Sequence, residues 1–533
     1  MHLHGSTRPA PPCEARGALR RGTPWALAAW VALAAWTGGG GIARAAPVLE
    51  SEHWFALLLQ GKPCGHMRST QRRDAERGLL MTRQEMRIEV ARAGQVIKIE
   101  MSSAFTETLD HRPVSASTRQ DLGTMRIVQN MAFLPDALVL TSEQNGVVSE
   151  RRLKPLQGAW LTPAAAGLEM ERRLKAGEKS FSVASVDALA GPVVVTTEVQ
   201  VEGRETIEVL GKSVPALRLK QRQSLAPGQV MTTWVDDAGE PLRAEVSLLP
   251  GLSMTVLRAD EQTAKLKVQP AELLLQTLIA IEKPIERPRS LKRAVYRLDL
   301  AGEGLSQAER AALLASIPSS GPQRVERMGE GGLRVTVDLR AAPEAPPEAQ
   351  PGPEHLEASV MMNWKDPEVA ALAQRALREV PPGASKAQQA EALRRFVHRH
   401  IRKKDLGVAF ATAGEVARTG QGDCTEHGVL LGALLRARGI PSRAVTGLLY
   451  ADEFVGQKQV FGYHLWTQAW LSEPGAGAGR WVDLDAVLPD DAPSDATHIA
   501  LSHSPMSDER GMMSLAEAAG LINRLKLRVE QSE

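Results

Sequence analysis

Five of the thirteen residues 341–353 are proline: Pro343, Pro346, Pro347, Pro351 and Pro353. Each fixes its own φ, lacks a donor N–H and pushes the preceding residue out of the helical region. No helix or central strand runs through such a stretch, so residues 341–354 read as a stiff extended linker. The chain must then fold as pieces on either side. Its 533 residues are ample for more than one buried core.

Upstream of the linker the hydrophobic period is two. Met86, Ile88 and Val90 alternate with polar neighbours, as do Ile97, Ile99 and Met101 around Lys98 and Glu100. Segments 193–201 and 213–221 continue the pattern, with Gly203 and Gly211 as punctuation, and Trp234 ends a strand before the turn Asp236-Asp237-Ala238-Gly239. Residues 47–268 are therefore expected to be β-rich, as long antiparallel strands in a half-barrel or a sandwich. Such a module suits holding a substrate or an envelope partner, or presenting the rest of the chain. Residues 285–340 read as a small mixed α/β unit of βαβ type. Its strands are marked by Ala294, Tyr296, Leu298, Leu300 and by Leu333, Val335, Val337, Leu339; its helix opens on Ser306 with Glu309 three residues on.

The first 46 residues resemble an export signal. Arg16, Arg20 and Arg21 precede a short apolar run, 25–36, and Ala43-Arg44-Ala45 supplies small residues for cleavage. The run is shorter than the ~20 residues of a membrane span, which points to a periplasmic or secreted protein with no stable span after cleavage. Loss of that segment removes Cys13 and leaves Cys64 and Cys424, which lie in different domains. A net charge of +2, with no basic patch interleaved with aromatics, argues against nucleic acid as a partner.

Beyond the linker the pattern turns helical. Asp366-Pro367-Glu368 opens one helix, Ser385 with Gln388 a second, and residues 411–418 a third. Then comes Gly422-Asp423-Cys424-Thr425-Glu426-His427. Asp423 is an N-cap and Glu426 completes a capping box, so Cys424 takes the first helical position, where free N–H groups and the helix dipole favour negative charge. Val429, Leu430, Leu434 and Leu435 supply the apolar stripe, and Gly439 before Pro441 ends the helix. Strands follow at 443–450, 462–471 and 480–484. His464 lies on the second, on one face with Trp466, Gln468 and Trp470. Asp483 and Asp485 share a face of the third, and periodicity does not choose between them.

Over residues 364–488 this constellation resembles the transglutaminase-like superfamily, thiol enzymes with a papain-like core. The resemblance rests on Gly422-Asp423-Cys424-Thr425-Glu426-His427, Gly439-Ile440-Pro441-Ser442-Arg443, Gly462-Tyr463-His464-Leu465-Trp466 and Trp481-Val482-Asp483-Leu484-Asp485. It implies an α+β fold in which a helix bearing the cysteine packs on an antiparallel sheet. It also implies a catalytic triad of Cys424 as nucleophile, His464 as base and Asp485 as orienting acid, with Asp483 as the alternative. Where the family often continues with proline and threonine after that aspartate, Ala486 and Val487 stand here. The implied activity is acyl transfer on protein or peptide amides through a thioester, ending in hydrolysis or transamidation. No side-chain oxyanion donor is evident; the Cys424 N–H is the first candidate.

Other chemistries are weaker. Cys424 and His427 have C-x-x-H spacing, but the second closely spaced ligand pair of a metal site is missing, and no metal or cofactor is expected. A non-catalytic envelope binding or assembly module on the same core is the competing class, although a scaffold has no need of cysteine, histidine and aspartate together. Residues 494–507 carry no chemical signal, so His498 and His503 are expected to be solvated, and residues 514–527 to form a terminal helix.

Overall fold

The computed structural model describes residues 47–123, 125–144, 147–249, 252–301, 306–329, 331–340, 350–378, 380–404, 411–472, 479–489, 493–507 and 520–533. The expected export signal and most of the proline-rich linker lie outside these residues. Of the described residues 50% are strand and 19% helix, an α+β arrangement with a large antiparallel region first and a helix-plus-sheet region after it. Among the described residues no helix is long and apolar enough to cross a membrane.

The first region is one sheet. Fourteen strands, from Val48–Leu59 to Leu252–Ala259, hydrogen-bond in a single path, and a two-residue strand at Ala271–Glu272 lies beside Leu79–Arg92. Strands adjacent in sequence pair antiparallel except the eighth and ninth, and the first strand also pairs with the fourteenth. The path runs 8 to 1, then 14 to 9, so two meanders share one seam and do not form the separate facing sheets of a sandwich. Tight turns hold the register. At the tip between Leu79–Arg92 and Gln95–Thr108, Ala93 and Gly94 both have positive φ, 52° and 79°, as a type I′ turn requires. Burial here is patchy. Separate small clusters form, one around Leu57, Leu59 and Ile88 and another around Phe105, Met131 and Leu138.

The small unit differs from expectation in its pairing. Arg293–Leu300, the helix Gln307–Ala315 and Gly332–Asp338 are all present, but Gln323–Met328 intervenes and forms a hairpin with Gly332–Asp338. Arg293–Leu300 consequently pairs antiparallel with Gly332–Asp338, unlike the parallel strands of a βαβ unit. Its other edge is covered by Leu525–Ser532. The expected terminal helix over 514–527 is thus overturned from Leu525 onward, and residues 514–519 lie outside the described part. Leu525 and Leu527 are buried while Lys526 and Arg528 are exposed, a period of two that suits a strand.

The third region carries the cysteine. Helices Pro367–Ala376, Lys386–His400 and Ala413–Thr419 surround the helix Cys424–Ala437, which packs on Ser442–Phe454 and Gln457–Leu471. Arg480–Leu484 pairs with Gln457–Leu471, and Ile499–Ser504 pairs with Ser442–Phe454. The cysteine helix is buried on every side from Glu426 to Arg436, because sheet and helices sandwich it. Gly428 allows this: a Cβ there would sit 2.3 Å from Leu465 Cδ2.

Candidate active site

The local sequence places the sulfur. Asp423 caps the helix, its carboxylate accepting from the Thr425 N–H at 2.9 Å, and Glu426 Oε2 accepts from the Asp423 N–H at 2.9 Å. Glu426 Oε1 also accepts from the Ala411 N–H at 3.0 Å. Burial, then the Asp423 charge, push the Glu426 carboxyl up to about 8. Gly422 has a φ of 146°, and a Cβ on it would lie 2.2 Å from Glu426 Cβ, so only glycine fits before this cap. Cys424 is the first helical residue and is partly exposed.

His464 reaches the cysteine from the neighbouring strand. Its Nε2 donates to Asp485 Oδ2 at 2.8 Å, and Cys424 lies near enough to the ring to favour its charged form. With Nε2 committed, Nδ1 is the nitrogen left for the thiol. Burial alone would lower His464; the charge and hydrogen bond of Asp485, then Cys424, outweigh it and raise the imidazole to about 9. For Asp485, burial opposes ionisation, but His464 and then His498 hold the carboxyl well below the usual carboxylate range.

The two aspartates left open by periodicity separate here. Asp483 Oδ1 accepts from Trp466 Nε1 at 2.8 Å and Gln468 Nε2 at 2.7 Å, so it anchors the strand beside His464 and makes no bond to the imidazole itself. Asp485, just past the strand end, turns to His464. Its Oδ1 accepts from the Val487 N–H at 2.8 Å. Buried Arg394 fixes the turn that follows, donating from Nη1 to the carbonyls of Asp485, Leu488 and Pro489 at 3.1–3.2 Å. His398 Nδ1 lies 3.0 Å from the Ala486 carbonyl.

Two further residues come from outside the expected constellation. Arg92, at a hairpin tip of the large sheet, pairs through Nη1 with Asp423 Oδ2. That tip is clamped by Glu272, whose carboxylate accepts from the N–H groups of Ala93 and Gly94, both at 3.1 Å. His498, expected to be solvated, is 2% exposed, and its Nε2 donates to Asp485 Oδ2 at 3.2 Å. It is buried because its loop is stitched to the small unit: Tyr296 Oη donates to the Ala496 carbonyl at 2.9 Å and the Ala496 N–H to the Leu291 carbonyl at 3.0 Å. His503 is half-buried on Ile499–Ser504. His427 sits beneath the site, its Nδ1 on the Asp423 carbonyl, and burial lowers it to about 4.

Among the described residues one group has metal-ligand spacing: His464, Asp485 and His498, with ligand atoms within 4.8 Å of one another. It does not include the Cys424–His427 pair. Those atoms already share hydrogen-bonding protons, so the arrangement is complete as a proton-transfer network.

Residues 371–486 match the transglutaminase-like superfamily model. This stretch is a transglutaminase-like core. No curated protein matches the chain. Three solved structures show low similarity. A β-barrel-like protein with a domain of unknown function from Brucella abortus is 14% identical with a TM-score of 0.30, over 39% of this chain and 94% of that one. A cysteine protease candidate from Cytophaga hutchinsonii is 13% identical with a TM-score of 0.25, over 45% and 85%. A protease candidate from Parabacteroides distasonis is 10% identical with a TM-score of 0.19, over 71% and 67%.

Proposed function

We propose that the transglutaminase-like core is a thiol acyl-transfer enzyme acting on amide bonds of proteins or peptides. One observation carries the reading: His464 is hydrogen-bonded to the buried Asp485, and Cys424, at the first position of its helix, lies near enough to favour the charged ring. The Cys424 thiol gives its proton to His464 Nδ1, and the thiolate adds to the amide carbonyl. The C–N bond then breaks, and the imidazolium returns that proton to the departing amine, leaving a thioester on Cys424. Water or an amine attacks the thioester with His464 as base, releasing an acid or a new amide and restoring the thiol. The Cys424 N–H is the first candidate donor to the developing oxyanion. Asp485 keeps the ring oriented and stabilises its charged form.

In the same reading the chain is exported through residues 1–46, and the large sheet presents the core to a substrate or an envelope partner. Labelling with a neutral electrophile at pH 7 tests the chemistry. Cys64 is fully buried and its thiol is pushed up to about 11 by burial, so it supplies an internal control. Cys424 is expected to label at least tenfold faster than Cys64, and His464→Ala to remove that advantage. Equal rates would leave only the non-catalytic module. Peptide amide hydrolysis, compared with incorporation of an added amine, then separates the two endings. Mass determination of the mature N-terminus near Ala45 tests export.

A further inference from the structure

Asp485 is shared by two histidines. His464 Nε2 and His498 Nε2 both donate to its Oδ2, at 2.8 and 3.2 Å. The far side of His498 also meets acceptors, its Nδ1 lying 3.0 Å from the Asp495 carbonyl and 3.5 Å from Asp495 Oδ1. The Asp495 N–H lies 3.4 Å from the same nitrogen, so the shorter contact is with the carbonyl. A neutral imidazole has one donor and one acceptor nitrogen; a ring that donates at both ends is an imidazolium. Asp495 in turn is held by Arg289, whose Nη1 donates to Oδ2 at 2.6 Å, and by Thr497, whose N–H donates to Oδ1 at 2.8 Å. His498 and Asp495 have fully buried side chains.

We propose that His498 is a positioning residue for the reaction, a buried imidazolium between Asp485 and Asp495 whose fixed positive charge tunes the Cys424–His464 pair. This rests on the acyl-transfer reading and deepens it. The line Cys424, His464, Asp485, His498, Asp495, Arg289 alternates in charge once the thiolate has formed. A lone buried Asp485 would bind the His464 proton so strongly that its return to the departing amine becomes slow. Sharing Asp485 with a second cation weakens that hold while keeping the ring oriented. The other groups facing His498 do not replace it. Asp483 is engaged with Trp466 and Gln468, Tyr296 is spent on the Ala496 carbonyl, and the rings of His464 and Trp466 lie at centroid distances of 6.1 and 5.1 Å. Burial opposes the charge on His498, but Asp495 and Asp485 raise the ring to about 10, in accord with the geometry.

The test is the pH dependence of Cys424 alkylation by chloroacetamide, which follows thiolate formation, in the unaltered protein and in His498→Gln. Glutamine keeps a neutral donor but removes the charge, so the curve should move to higher pH by ~0.5–1 unit, a roughly three- to tenfold slower reaction on its acid side. A general loss of structure would instead take the midpoint to the ordinary thiol value of ~8.5 and make the buried Cys64 react as fast as Cys424. Should that variant not fold, ring ¹⁵N shifts of the unaltered protein at pH 9.5 decide. One histidine should still show two protonated nitrogens; finding none overturns the proposal. A fast-reacting Cys424 whose curve is the same in both proteins overturns the role of His498 alone. If Cys424 in the unaltered protein reacts no faster than Cys64, the acyl-transfer reading falls and takes the tuning role with it.

Discussion

The large sheet and the cysteine-bearing core solve burial in different ways. In the sheet, strands pair almost entirely with their neighbours in sequence, and apolar side chains gather in small separate clusters. In the core, a single helix is enclosed on all sides by elements drawn from more than a hundred residues of chain. The sheet's polar faces carry many exposed ion pairs, such as Arg83–Glu85 and Arg119–Asp121. The core's titratable groups, Arg394, Glu426, Asp485, Asp495 and His498, are buried and hydrogen-bonded. Strongly shifted acids and bases therefore concentrate in one region, where function is expected to lie.

The contrast can be tested hardest by chemistry. Cys424→Ala should abolish turnover and His464→Ala should reduce kcat ~10²–10⁴-fold, whereas Glu85→Gln in the sheet should leave kcat unchanged; steady-state kinetics on a peptide amide would show it. Packing comes next. Leu434→Ala, at a site with no exposure, should cost ~2–5 kcal/mol. Val96→Ala, half exposed on the sheet, should stay within ~0.5 kcal/mol; urea unfolding separates the two.

Arg92→Gln probes the seam between the regions. Losing the Asp423 pair should slow Cys424 labelling roughly fivefold, equivalent to about 1 kcal/mol, while strand content by circular dichroism stays unchanged. An unchanged rate would show the two regions to be independent.

The pH responses should run in opposite directions. His498 and His464 are raised above the ordinary histidine value, to about 10 and about 9. The stability they contribute is complete below ~6.5 and is lost as pH rises through 9 to 10. His66, on the sheet, is lowered, chiefly by burial and then by Lys265 and Arg87. Its contribution is present above ~6.5 and is lost as the pH falls. Hydrogen exchange, corrected for intrinsic rates, should show 457–471 losing protection toward pH 10 and 62–74 losing it toward pH 5. The smallest effect belongs to exposed pairs: Glu85→Gln should shift stability by at most ~0.5 kcal/mol.

What could be read in advance was local. The Asp423 cap and the Glu426 partner depend on residues within a few positions of one another, and they form as expected. The choice between Asp483 and Asp485 needed the end of a strand, where the chain leaves the sheet and the alternation rule lapses. His498 escaped notice because Ser494-Asp495-Ala496-Thr497 has the composition of a surface turn. Its burial depends on Arg289 and Tyr296, some two hundred residues away. The helix expected over 514–527 gives way to a strand from Leu525 because the edge awaiting it, Arg293–Leu300, is not visible in composition.

Several strand ends of the large sheet meet the core. Besides Arg92, Leu122 and Ile127 pack on its apolar cluster, and Gln144 reaches Met361. These strands act as rulers. Removing one residue from each arm of the hairpin that carries Arg92 would retract its tip by ~3.3 Å, a full hydrogen-bond length, and leave the guanidinium short of Asp423. Strand length in the large sheet is therefore matched to a carboxylate more than three hundred positions downstream.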